Sequence, residues 1–187
     1  MIKFIIATFC ILFGVHQQVL ACGEIVPNAR VITIVQRLAY KDFPKTADIL
    51  AHIRVESSFN PKARNKSERE DSVGLMQVQN GPEDEHTNIA MGVSLLREYY
   101  EITHSKEGAS KAYNIGIGNY RRGKLLVSAA EYYEKIKLWK KVYADYPKKM
   151  HYLGRDLGCK HIIKLQSRTN RELGITLTLS SNLGGVT

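Results

Sequence analysis

No apolar run in this 187-residue sequence is long enough to cross a membrane: the longest, Phe4 to Val15, has twelve residues. A spanning helix needs roughly 18–20. Cysteine is scarce. The three present, Cys10, Cys22 and Cys159, form no spacing with histidine that resembles a metal site. No metal and no cofactor is therefore expected. Acidic side chains are the minority, 18 against 27 Lys and Arg, for a formal net charge of +9. Such an excess favours polyanions: nucleic acid, anionic lipid or the acidic polymers of a cell wall. There is no internal repeat. What remains is ordinary globular material, 44% hydrophobic and 24% charged, with enough length for one sizeable core.

The N-terminus has a charged start at Lys3, the short apolar run, and then Val19-Leu20-Ala21. This is the pattern of a secretory leader cut after Ala21, and it predicts export to the periplasm. Cys10 would leave with the leader, and the charge would fall only to +8, because Lys3 is the sole ionised side chain removed. Cys22 then stands first in the mature chain, with two open fates. It is lipid-modified, which would anchor the protein to a membrane, or it pairs with Cys159 in an oxidising compartment. Leu20 fits poorly the small residue usually found two positions before a lipidated cysteine. The expected division is a leader at 1–21, a domain at 22–146 and a basic tail at 147–187. In that tail seven Lys and Arg face only Asp156 and Glu172, a net +5.

Within the domain, helical periodicity dominates. Residues 29–41 predict one helix and 46–58 a second, with Thr46 as N-cap and Asp48 in the first turn. Residues 59–73 are polar, charged and broken by Pro61, and predict a loop, as does NGPEDEHT after GLMQV. Ile89, Val93, Leu96 and Tyr100 share one face of a helix over 88–101. Residues 109–114 make a short helix that stops in the glycine-rich NIGIGN. Ser128 and Glu131 form a capping box that opens a last helix bearing Tyr132, Ile136, Trp139 and Tyr143. Pro147 closes it. The fold class is mainly α.

Against this background HIRVESSFNPKA, residues 52–63, stands out. Ile49 and Ile53 mark an apolar stripe, and Glu56 is the next position on it, one turn before Asn60-Pro61 ends the segment. A carboxyl held against an apolar face keeps its proton to higher pH. That is what a general acid needs to protonate the departing oxygen of a glycosidic bond. The order of short motifs sharpens this reading: ESSFNP at 56–61, GLMQV at 74–78, NIAMGVSLL at 88–96, AYNIGIGN at 112–119 and EYYEKI at 131–136. Together, over about residues 45–146, they resemble the catalytic domain of the soluble lytic transglycosylases, lysozyme-like enzymes that cleave peptidoglycan.

The resemblance implies a lysozyme-like α fold with a substrate cleft, and peptidoglycan glycan strands as the partner. It places Glu56 as the single catalytic acid/base. Ser57, Met76, Gln77, Tyr113, Asn114 and Tyr132 are implied to line the sugar-binding cleft, with Tyr133 a competitor for the role of Tyr132. Gly74 would allow close backbone approach, Gly116 and Gly118 would be turn residues, and Phe59 core. One acid suffices if the C6 hydroxyl of the substrate, rather than water, completes the reaction and closes a 1,6-anhydro ring. The interval from Glu56 to Gly74 is longer than is typical of the family and carries SERED at 67–71. Goose-type lysozymes share the architecture and keep an assisting aspartate there, so hydrolysis aided by Glu70 or Asp71 is the alternative. A non-catalytic peptidoglycan binder would have lost Glu56 or Ala-Tyr-Asn, and both are present. A nucleic-acid binder conflicts with the export signal, so no nucleic-acid partner is expected. A monomer is expected, serving a type IV secretion or conjugation apparatus that needs local gaps in the wall.

Overall fold

The computed structural model describes residues 27–67, 70–124 and 127–144. The leader, the basic tail, Cys22 and Cys159 lie outside these. Helix α1 (Ala29–Leu38) is opened by Asn28, whose side chain accepts the Val31 N–H at 2.9 Å. It buries Val31, Ile34 and Val35 on one stripe. It stops at Leu38, short of the expected 41.

Helix α2 (Thr46–Ser57) is the centre of the molecule: Ile49, Leu50, Ala51, His52 and Ile53 are all buried, so no side of its middle turn faces water. Its N-cap is Lys45 and not Thr46. Asp48 does the capping, reaching back to accept the Lys45 N–H at 2.9 Å. The helix ends in Ser58 (φ 53°) and Phe59 (φ 63°), two successive non-glycine residues in the left-handed region. Such conformations cost about 1–2 kcal/mol each. Phe59 goes into the core, edge-on to Tyr143.

The polar stretch expected to be a loop forms a three-stranded antiparallel sheet: β1 (Arg64–Lys66), β2 (Asp71–Val73) and β3 (Val78–Gln79). Arg64 pairs with Val73 and Lys66 with Asp71. Val73 pairs in turn with Val78. The strands are two or three residues long and β1 is wholly exposed, so there is no apolar alternation to betray them.

Helix α3 (Glu85–Thr103) is capped by Asp84, which accepts the Thr87 N–H at 2.9 Å. It buries the expected Ile89, Val93 and Leu96, and Tyr100 lies against Phe43 with ring centroids 5.2 Å apart. It also buries Asn88, which ties the loop between β2 and β3 to the helix. Asn88 accepts the Met76 N–H at 2.9 Å and donates to the carbonyls of Val73 (2.8 Å) and Pro82 (3.0 Å). Gly74 (φ +78°) is needed twice over, since a Cβ there would stand 2.6 Å from the Asn88 amide nitrogen.

Helix α4 (Lys106–Ile115) is longer than expected. The glycine-rich segment after it holds a further short helix, α5 (Ile117–Arg121); only Gly116, at φ +77°, breaks the path, and Gly118 lies inside α5. Helix α6 (Val127–Tyr143) starts before Ser128, which places that residue inside the helix rather than at a capping box. Helix α6 packs mainly on α2, α4 bridges α3 and α6, and α1 leans on α3. The architecture is mainly helical and agrees with a lysozyme-like fold. No helix among the described residues is long and apolar enough to cross a membrane.

Candidate active site

Glu56 is the penultimate residue of α2 and is half-buried. The hydroxyl of Tyr132, a buried residue of α6, donates to its Oε1 at 2.5 Å. Burial is the main reason the carboxyl keeps its proton, with a pKa raised from 4.5 to about 7. The Tyr132 bond opposes the rise, and the negative charge of Glu70 adds to it. The position helps too, because the C-terminal end of a helix is the negative end of its dipole and disfavours a carboxylate. With Oε1 accepting from the tyrosine, Oε2 is the oxygen left open to carry the proton.

Two phenols frame the acid. Burial pushes the pKa of both Tyr113 and Tyr132 well above the usual phenol value, and the nearby Glu56 pushes them further, so both remain donors. Tyr113 Oη donates to the Met76 carbonyl at 2.7 Å, which joins α4 to the loop between β2 and β3. Tyr133, the competitor for the role of Tyr132, faces elsewhere, with the Lys137 ammonium 5.4 Å from its ring centre. Of the two tyrosines, Tyr132 is the one bonded to Glu56.

Several expected cleft residues turn inward. Met76 is fully buried, and its sulfur fills the space left by Gly92, where a Cβ would stand 2.6 Å away. Only its backbone carbonyl serves the site, through Tyr113. Ser57 is nearly buried and donates to the Leu75 carbonyl at 2.8 Å, with the Ile53 carbonyl at 3.1 Å. It fastens α2 to the sheet loop instead of facing a sugar. Gln77 (φ +46°) is half-buried, and its amide nitrogen donates to the Ala63 and Gly74 carbonyls at 3.0 and 2.9 Å. Asn114 is exposed beside Tyr113 at the end of α4 and makes no hydrogen bond to Glu56.

One residue of the cluster escaped the sequence reading. His52 is fully buried, and its ring meets those of Tyr113 and Tyr132 edge-on, with centroids 5.8 and 6.1 Å away. Its Nδ1–H donates to the Asp48 carbonyl at 2.7 Å, a tautomer fixed by the fact that a carbonyl only accepts. Burial lowers its pKa to about 4, so it is neutral at physiological pH. Nε2 is buried with no hydrogen-bond partner. The signal was available: His52 precedes Glu56 by four residues, and i and i+4 share a helix face.

The two acids in the long loop differ. Asp71 is held by Arg64 through a two-pronged ion pair, Nε to Oδ1 at 2.7 Å and Nη2 to Oδ2 at 2.6 Å, which keeps its carboxyl below the usual range. Glu70 accepts from the Ser72 hydroxyl at 2.7 Å, and its field reaches Glu56. Among the described residues no cluster of His, Cys, Asp and Glu is arranged to hold a metal.

The arrangement is an acid that keeps its proton up to about neutral pH, fixed by a phenol at the junction of three helices and a small sheet, with no second carboxylate bonded to it among the described residues. No curated protein and no solved structure matches the chain. Residues 35–86 match the family model described as the transglycosylase SLT domain. The matched span runs from α1 through α2 and the sheet into α3, and includes Glu56, Ser57, Met76 and Gln77; Tyr113, Asn114 and Tyr132 lie beyond it. With that match and this helical architecture, residues 35–86 are similar to the transglycosylase SLT domain, the domain of glycan-cleaving lyases that act on peptidoglycan.

Proposed function

We propose that Glu56 is the acid and then the base of a cleavage of the MurNAc–GlcNAc β-1,4 bond that leaves a 1,6-anhydromuramic end. Glu56 gives its Oε2 proton to the bridging oxygen as the C1–O bond breaks, and the acetamido group of the substrate stabilises the developing cation. The C6 hydroxyl then attacks C1 and returns a proton to the carboxylate. Water is neither consumed nor released, so the products together have the mass of the strand. The observation that carries this reading is the isolation of Glu56: among the described residues no second carboxylate bonds to it or shares its partner. Most glycosidases use two carboxylates. In this reading Tyr113 would offer the sugar an aromatic face and Asn114, exposed beside it, an amide.

A second reading, hydrolysis assisted by Glu70, is favoured by the reach of its charge to Glu56; Asp71 is committed to Arg64. Mass spectrometry of muropeptides separates the two readings. Anhydro ends, one water lighter than reducing ends, are the expected product, and Glu70→Gln should leave their yield intact. Reducing ends that vanish in Glu70→Gln would establish the hydrolase instead.

The Tyr132 bond makes a separate prediction. It stabilises the ionised form of Glu56, so Tyr132→Phe raises the carboxyl pKa further. The alkaline limb of the pH–rate profile moves to higher pH, and the maximal rate falls about tenfold, the effect of losing one hydrogen bond to a charged group. A limb that stays in place would mean that Tyr132 only packs.

For the whole protein, the leader pattern at 1–21 supports export to the periplasm. A small wall-opening enzyme with a basic tail suits a secretion or conjugation apparatus that needs a local gap, with the protein acting as a monomer. Membrane attachment would come only through a lipidated Cys22. Fractionation of cells and the intact mass of the mature protein test these points.

A further inference from the structure

Helices α2, α4 and α6 meet at two ends. Glu56, Tyr113 and Tyr132 occupy one. At the other, the first turns of α2 and α4 and the last turns of α6 enclose a groove of about 340 Å³. Asp48 lines that groove and lies eight residues before Glu56 on α2, roughly 12 Å along the axis at 1.5 Å per residue. The groove is therefore separate from the acid and held by the same three helices.

Its chemistry is cationic over an apolar floor. Phe43 and Ile136, both buried, form part of the lining, and Lys106, Lys137, Lys140 and Lys141 stand around it. Two of these charges are balanced: Lys140 pairs with Asp48 at 2.6 Å and Lys137 with Glu134 at 2.7 Å. Lys106 and Lys141 have no ion-pair partner among the described residues. Lys106 also begins α4, where the helix dipole is already positive. The acid of that turn, Glu107, is engaged by Lys111 at 2.5 Å. Among the described residues, two ammonium groups without an ion-pair partner and a helix start thus line one concavity.

We propose that this groove binds the peptide stems of peptidoglycan through their free carboxylates. The proposal rests on the peptidoglycan substrate assigned above. Short stems combine methyl-bearing residues with several carboxylates, which matches lysines around a Phe43–Ile136 floor; lysine is a compact point charge suited to single anionic groups. The groove then selects strands that still carry peptides, while the chemistry stays at Glu56.

The test uses the mature chain and a sugar-free stem tetrapeptide, with binding followed by calorimetry. The tetrapeptide is expected to bind, its fully amidated form at least tenfold more weakly. Lys106→Ala/Lys141→Ala loses at least tenfold, and Lys106→Arg/Lys141→Arg retains binding. In cleavage assays the parent shows a KM about tenfold lower for peptide-bearing strands than for strands stripped by an amidase, and the alanine variant loses that preference. Equal binding by parent and alanine variant, or inorganic phosphate binding as tightly as the tetrapeptide, overturns the proposal. Glu56→Gln keeps tetrapeptide binding if the groove is separate. A parent that binds tetrapeptide but cleaves no strand would instead count against the catalytic reading.

Discussion

Glu56→Gln is expected to abolish cleavage and, above neutral pH, to make the protein more stable. The two effects share one cause. General acid catalysis contributes about 10²–10⁴-fold, and Glu56 would serve both halves of the reaction, so a loss of at least about 10³-fold is expected with purified murein. The stability gain follows from the raised pKa, 4.5 to about 7. Below pH 4.5 the carboxyl is protonated in folded and unfolded chains alike, and burial costs nothing extra. As pH rises through 4.5 the unfolded chain ionises freely while the folded chain stays protonated, and stability falls until, above about 7, the folded chain too must hold a carboxylate among Tyr132, Tyr113 and the end of α2. A shift of this size corresponds to roughly 3 kcal/mol lost by about pH 8. Glutamine keeps the shape and the Tyr132 partner and removes the penalty. Urea midpoints at pH 4 and pH 8 measure it: parent and variant should lie close at pH 4 and diverge at pH 8, the variant above. A constant difference across that range would mean that Glu56 titrates as an ordinary surface acid. The same ionisation sets the alkaline limb of activity, with turnover falling as pH passes about 7.

What the sequence disclosed depends on how far a signal extends along the chain. Ile89, Val93 and Leu96 recur at helical spacing, and α3 buries all three. Glu56 could be singled out because a charge on an apolar stripe contradicts its neighbours, and the structure places it at the Tyr132 hydroxyl. The sheet could not be read: β1 is three exposed polar residues, and its pairing partners lie across a charged hairpin. Lys45 was not recognisable as an N-cap, because the group doing the capping is Asp48, three residues on. Met76 shows a different limit. A motif tells which residue types adjoin, not which way each side chain turns, and Gly-Leu-Met-Gln reads the same whether the methionine fills a cleft or the hollow beside Gly92. His52 was missed for the opposite reason. Its spacing from Glu56 was plain, but buried histidines bear no mark in sequence until the two tyrosines that enclose it are brought in from α4 and α6.

Asn88→Ala should be the most destabilising single change outside the apolar core, by about 3–5 kcal/mol. Asn88 is fully buried and makes three bonds, one accepted from the Met76 N–H and two donated to the Val73 and Pro82 carbonyls. Alanine leaves the buried Met76 N–H and Val73 carbonyl without this partner, at about 1–3 kcal/mol for each buried orphan, and releases the part-buried Pro82 carbonyl as well. Against a total stability of order 5–15 kcal/mol, such a loss is readily measured by denaturant titration. Activity should fall as well, because the Met76 carbonyl that receives the Tyr113 hydroxyl is set by the same loop. The contact with Gly74 supplies an internal check. Gly74→Ala alone costs both the left-handed backbone, about 1–2 kcal/mol, and a Cβ placed 2.6 Å from the Asn88 amide. Once residue 88 is alanine the collision is gone and only the backbone cost remains, so the double variant should be more stable than the sum of the single changes predicts. Strict additivity would mean that the loop relaxes away from α3 in either single variant, and that Asn88 does not fix the position of Tyr113 beside the acid.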